Sequence, residues 1–266
     1  RSGTVGDSSF VAGSTNEASG DYSTAVGQST TASGSRSKAM GAFTTASGTT
    51  SIAMGQGTTA SGNYSTAMGV STEASVNFST AMGQSTTASG ITSTAMGQST
   101  TASGSRSTAM GQNTTASGSR STAMGSFTEA SGDRSTAMGE ATIASGDYST
   151  AMGRFTEASG ENSTAMGWET ISRAYAGTAQ GSYNEDYLGG GNEPTLISQA
   201  ATQDRIFSVG VGDNPIAVAG DADYSDGTGK ADAFYITYRD GAFVRGGLTI
   251  ERFRPDGSGG YVTTTD

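Results

Sequence analysis

The sequence predicts an all-β fold: a parallel β-roll of fourteen-residue coils, followed by a small β-rich carboxy-terminal segment. Three observations carry that prediction. Glycine recurs at every seventh residue from Gly6 to Gly167, with Val76 the one exception. Neighbouring heptads differ, so the true unit is fourteen residues long, as in Gln84-Ser-Thr-Thr-Ala-Ser-Gly-Ile-Thr-Ser-Thr-Ala-Met-Gly97. Within each half of that unit the residues alternate small and larger, the period of a strand and not of a helix.

The repeat block, residues 1–181, comes first. A heptad suggests a coiled coil, whose seam needs large apolar side chains at two positions per repeat. Here those positions hold Gly, Ala, Ser and Thr, and one Gly per heptad costs about 1 kcal/mol relative to Ala in a helix. Two short strands per unit fit instead. Along one strand Ser93, Ala95 and Gly97 are expected to face inward, with Thr94 and Met96 outward; the Thr-Thr-Ala-Ser-Gly half repeats the alternation. Inward faces built from Ser79, Ala81, Gly83, Ala88 and Gly90 fill only a narrow interior. Each coil adds a strand spacing of about 4.8 Å, so twelve to thirteen coils make a rod of roughly 60 Å. Val76 in place of Gly is expected to mark a bulge or widened turn.

All ten Met of the chain share one phase: Met40, Met54, Met68, Met82, Met96, Met110, Met124, Met138, Met152 and Met166, with Val26 opening the row. By the alternation they point outward, while the matching position of the other strand is Ser, as at Ser33, Ser89, Ser131 and Ser159. One outer face is then apolar and the other polar. An apolar stripe of this length marks an interface, and burial of each Met contributes about 1.5–3 kcal/mol. Met packed inside the roll would instead place Ala and Gly on the outside.

The Ser-Thr-Ala-Met-Gly and Thr-Ala-Ser-Gly segments, in phase over about two thirds of the chain, resemble the Ala-x-Gly head repeats of trimeric autotransporter adhesins, the YadA-like head. The resemblance implies a left-handed parallel β-roll, three rolls packed as a homotrimer around a threefold axis, and display on a bacterial outer membrane for attachment to host cells or extracellular matrix. The present chain departs in carrying Met where Val or Ile is frequent.

Variation concentrates two residues after Ser-Gly, where Tyr22, Arg36, Tyr64, Phe78, Arg106, Arg120, Arg134 and Tyr148 stack at intervals of one or more coils. These residue types are enriched at binding hot spots and form the candidate ligand surface. Solvated turn decoration or contacts between protomers are the plainer readings. Arg106, Arg120 and Arg134 would repel one another unless an acidic partner, or Asp133 and Asp147, intervened. A second outward row, Phe43, Phe127 and Phe155 with Gln28, Gln56, Gln84 and Gln98, is expected beside the Met face and suits protomer packing. Thr ladders at Thr31/Thr45/Thr59 and Thr87/Thr101/Thr115 raise an ice-binding solenoid as an alternative, although Glu17, Glu73, Glu129, Glu157 and Ile143 interrupt them. The shaft of a phage or viral fibre is a further alternative.

Residues 182–266 lose the period. Strand-like runs at Ile206–Val211, Ile216–Ala219, Ala233–Arg239 and Leu248–Phe253 suggest a cap or neck covering the last open strand edge. Acidic residues also rise: residues 1–181 carry 8 basic and 11 acidic side chains, residues 182–266 carry 6 and 13. Asp221, Asp223 and Asp226 alternate as in a calcium loop but lack the later bidentate Glu, so an acidic turn is favoured over a metal site.

Composition bounds the function. With no His and no Cys, the usual general base, zinc ligands and disulfides are missing. No catalytic constellation or phosphate loop is found, so neither an enzyme nor a cofactor is expected. A formal charge of −10 disfavours nucleic acid and anionic membranes as partners. No run approaches the roughly 20 apolar residues of a membrane helix. The first residue is Arg1, and an anchor is expected outside this sequence, at the cell surface.

Overall fold

The computed structural model describes residues 5–183 and the strands at 205–211, 232–237, 241–244, 254–255 and 261–262. The repeat block winds as a β-solenoid with two strands per coil and no helix among the described residues. The two strands are unequal. The Ser-Thr-Ala-Met-Gly half forms five-residue strands such as Thr94–Gln98, whereas the other half forms only the pair Thr101–Ala102.

Pairing is parallel and steps by one coil throughout. Met82 lies beside Met96 and Met96 beside Met110, just as Ala88 lies beside Ala102. The long strands build one sheet, which with three strands beyond the repeats numbers 16 among the described residues, and the short ones build a sheet of 11. The short strand stops early for a local reason. After Ala102 the N–H groups of Ser103 and Gly104 both donate to the carbonyl of Ala116, at 3.0 and 3.2 Å, so two residues face one and the ladder ends in a bulge-like bend.

Alanine fills the core. Both Ala rows, from Ala18 to Ala165, are fully buried, and the Met row is half-buried on the outside of the long sheet. That arrangement excludes Met as interior packing. Two further rows complete the interior: Ser93 and its equivalents, and Thr100 and its equivalents, which are the largest fully buried side chains. The interior is therefore wider than Ala, Ser and Gly alone require.

The glycines divide into two classes, and one corrects the sequence expectation. Gly104 of the Ser-Gly class is buried, but Gly97 of the Met-Gly class is exposed instead of facing inward. Gly97 sits at φ +123, and a Cβ built there would overlap the carbonyl oxygen of Gly111 in the next coil. Its requirement for Gly comes from coil stacking at the edge of the strand, not from a narrow interior.

Val76 loosens a corner without breaking register. Ser61 and Gly62 both donate to Ala74, at 3.0 and 3.3 Å, but at the next coil only Ser75 reaches Ala88, at 3.2 Å. The shifted carbonyl of Val76 accepts from Ser79 Oγ at 2.6 Å. Pairing of Thr80–Gln84 with both neighbouring strands continues over all five residues.

Beyond the repeats, Arg205–Val211 adds parallel to Thr178–Ser182, so the long sheet continues, and Asp232–Thr237 and Gly241–Val244 follow antiparallel. The expected runs at 206–211 and 233–239 overlap these strands, whereas those at 216–219 and 248–253 lie outside the described residues, as do Asp221, Asp223 and Asp226.

Candidate interaction surface

Each coil turns at two corners, and each corner of a typical coil holds one non-glycine residue in the left-handed region. After Ser-Gly the row runs Tyr22, Arg36, Thr50, Tyr64, Phe78, Thr92, Arg106, Arg120, Arg134, Tyr148, Asn162, with φ between +56 and +61. All eight residues of the candidate ligand surface therefore share one strained conformation, and all are exposed. For side chains other than Gly, Asn or Asp this region is unfavourable. Stacking holds it: Arg106 N–H donates to Ile91 O at 2.7 Å and Arg120 N–H to Ser105 O at 2.8 Å, the bond recurring down the row. Only Asn162 suits the backbone unaided, so Arg, Tyr and Phe occupy the row despite its preference.

A second ladder locks the same corner. Asp133 Oδ1 accepts the N–H of Ser119 at 3.1 Å, Asp147 Oδ1 that of Asp133 at 2.9 Å, and Asn63 Oδ1 that of Thr49 at 2.9 Å. These carboxylates serve backbone amides and do not intervene between the arginines. Side chains along the row stack instead. Tyr64 and Phe78 lie parallel, centroids 5.2 Å apart and planes within 3°. Arg134 lies 4.8 Å over the ring of Tyr148 and donates to its hydroxyl.

The Met-Gly corner carries two adjacent rows, not the single row expected. Gln28, Gln56, Gln84 and Gln98 end the long strands, and Phe43, Phe127 and Phe155 follow one residue later at φ +54 to +56. Sequence reasoning missed what happens in the last coils. There Glu140, Arg154 and Trp168 replace Gln in one row: Arg154 pairs with Glu140 at 3.2 Å and lies 4.7 Å over Phe155 and 5.9 Å over Trp168. Trp168 in turn packs against Tyr183 at 4.9 Å. The fourteen-residue step from 140 to 154 to 168 was the available signal.

On the short sheet Thr87, Thr101 and Thr115 stand in direct register, with Glu73 at one end and Glu129 at the other. Among the described residues no cluster of three or more His, Cys, Asp or Glu is placed to hold a metal ion, and no helix is long and apolar enough to cross a membrane.

The YadA head domain repeat (2 copies) matches the chain in ten overlapping windows, 18–44, 32–58, 46–72, 60–86, 77–100, 88–114, 102–128, 116–140, 130–156 and 144–170. The fifth begins one residue after Val76, where the corner is altered. No curated protein matches the chain. The windows cover more than half of the sequence in the phase of the observed coils, and the chain belongs to the YadA head-repeat family.

Proposed function

We propose that this chain is the head of a trimeric surface adhesin, a non-enzymatic binding rod that assembles through its Met face and presents its Ser-Gly corners to ligands on host cells, extracellular matrix or other surfaces. The observation that carries the reading is the division of the coil. The two Ala rows are wholly buried, while Val26 and the ten Met from Met40 to Met166 stand half-buried on the outer face of one continuous sheet. Half-buried Met in an unbroken file leaves apolar surface in water and an incentive to associate. Family membership supports three copies, a bacterial surface location and an adhesive role. Three parallel rods would multiply weak contacts into avidity.

Sedimentation at micromolar concentration tests the assembly: a trimer is expected, and the double variant Met96→Lys, Met110→Lys should sediment as a monomer with its circular dichroism unchanged. A wild-type monomer would refute the Met interface. Beads coated with the chain should hold to matrix-coated plates; failure to hold to any such surface would refute the adhesive role. The two Thr files on the short sheet run only three coils each, one between Glu17 and Glu73 and one between Glu73 and Glu129, too short an array for an ice surface, so no thermal hysteresis is expected.

A further inference from the structure

Between Glu73 and Glu129 the chain contains no acidic residue, and its only charges there are Arg106 and Arg120. Both are exposed, and neither side chain forms an ion pair or hydrogen bond among the described residues. With Arg134 they make three consecutive rungs of the Ser-Gly corner. Their backbones are fixed by coil-to-coil bonds of 2.7 Å at Arg106 and 2.8 Å at Arg120 and Arg134. In a chain of net charge −10 this is a local reversal of sign, built from like charges one strand spacing apart. The fold itself draws no stability from that arrangement. The aromatic rung Tyr148 follows at once, and Asp133 and Asp147 bound the positive stretch at its carboxy-terminal end.

We infer that this ladder, from Thr92 to Tyr148, binds a linear anionic polysaccharide laid along the roll axis, a sulfated glycan being the class that fits. The inference rests on the adhesin reading and names a ligand for one of its surfaces. Spacing selects the polymer. Rungs recur about every 4.8 Å, whereas an extended acidic peptide presents same-side residues about every 6.6 Å. Duplex DNA carries a phosphate about every 3.4 Å along each strand and curves away from a straight row. A pyranose unit with its bridging oxygen spans a length comparable to one rung, so anionic groups along a linear glycan recur at small multiples of the rung spacing and fall in step with the arginines. Guanidinium forks bind sulfate or carboxylate oxygens in pairs. Arg134 lies 4.8 Å over the ring of Tyr148, so the row closes at its carboxy-terminal end on a stacked cation and ring.

The test uses the whole chain and three probes: heparin oligosaccharides, a neutral dextran, and duplex DNA. Heparin should bind and dextran should not. The variant Arg106→Ser, Arg120→Ser should lower heparin affinity by about ten-fold or more at low salt and reduce the slope of log affinity against log salt by about two. The variant Arg106→Lys, Arg120→Lys should keep the slope and recover only part of the affinity. Thermal denaturation followed by circular dichroism confirms that each variant is folded. Serine variants that bind heparin as tightly as the parent would overturn the inference, as would duplex DNA binding as well as heparin. If coated beads adhere to matrix while heparin does not bind, this inference fails and the adhesin reading stands; if neither occurs, both fail.

Discussion

At the scale of single residues, the decisive conformations are those that local preference opposes. Gly97 is exposed, so burial alone would suggest tolerance, yet its φ of +123 and the Gly111 carbonyl leave no place for a methyl group. Gly97→Ala is expected to cost about 3–5 kcal/mol, combining backbone strain with overpacking. Gly57 is the contrast: it lies at φ +63, and an added Cβ meets nothing nearer than 3.7 Å. Gly57→Asn should stay within about 0.5 kcal/mol, because Asn suits that region. Comparing the two variants by thermal denaturation checks both. The interior hydroxyls form a second residue-scale case. Thr100 Oγ1 is fully buried and hydrogen-bonds to no protein group. Removing an unpaired buried hydroxyl relieves a desolvation cost of about 1–3 kcal/mol. Thr100→Val should therefore raise the melting temperature; a clear fall would mean that the hydroxyl has a partner of its own.

At the scale of the coil, corners absorb sequence variation that strands do not. Val76 was legible as a widened corner, but the hydrogen bond it brings was not: the altered carbonyl recruits Ser79, the one described member of its row hydrogen-bonded to protein by its hydroxyl. Ser79→Ala should accordingly cost about 1 kcal/mol, whereas Ser93→Ala should be neutral or stabilising. Equal effects in denaturation would contradict the corner geometry. The first coil has its own device. Asn16 donates to Ala12 O and Gly27 O, both at 2.7 Å, and accepts from the N–H and hydroxyl of Thr30, both at 2.9 Å. It stands in the Thr row and ties the amino-terminal coil to the next. Asn16→Ala should accelerate amide exchange in residues 10–32 and leave the coils around Met96 protected.

At the scale of the whole molecule, every strand pairing within the repeat block joins residue i to i+14, so the coil is the unit of insertion and loss. Deleting residues 84–97 should give a shorter rod with the same circular dichroism and only a small fall in stability. Deleting seven residues, 91–97, would set a long strand against a short one and expose an Ala row; it should aggregate or unfold. Comparable behaviour of the two deletions would argue against independent coils.

How much of this was legible follows from which forces are local. The glycine period, the Ala rows and the outward Met could be read directly, because alternation in a strand assigns sides from neighbouring residues alone. Strand lengths could not, since the bend after Ala102 depends on the carbonyl of Ala116, one coil away. The left-handed corners were equally hidden: Arg106 and Tyr148 carry no preference for that region and adopt it because the coil before them offers a carbonyl. The candidate surface was therefore found as a list of variable residues, and stacking turned it into a ladder with fixed rungs. The sequence by itself determined the repeat, its sides and its phase; only the stacked structure decided the corners, because their hydrogen bonds do not exist until one coil lies on another.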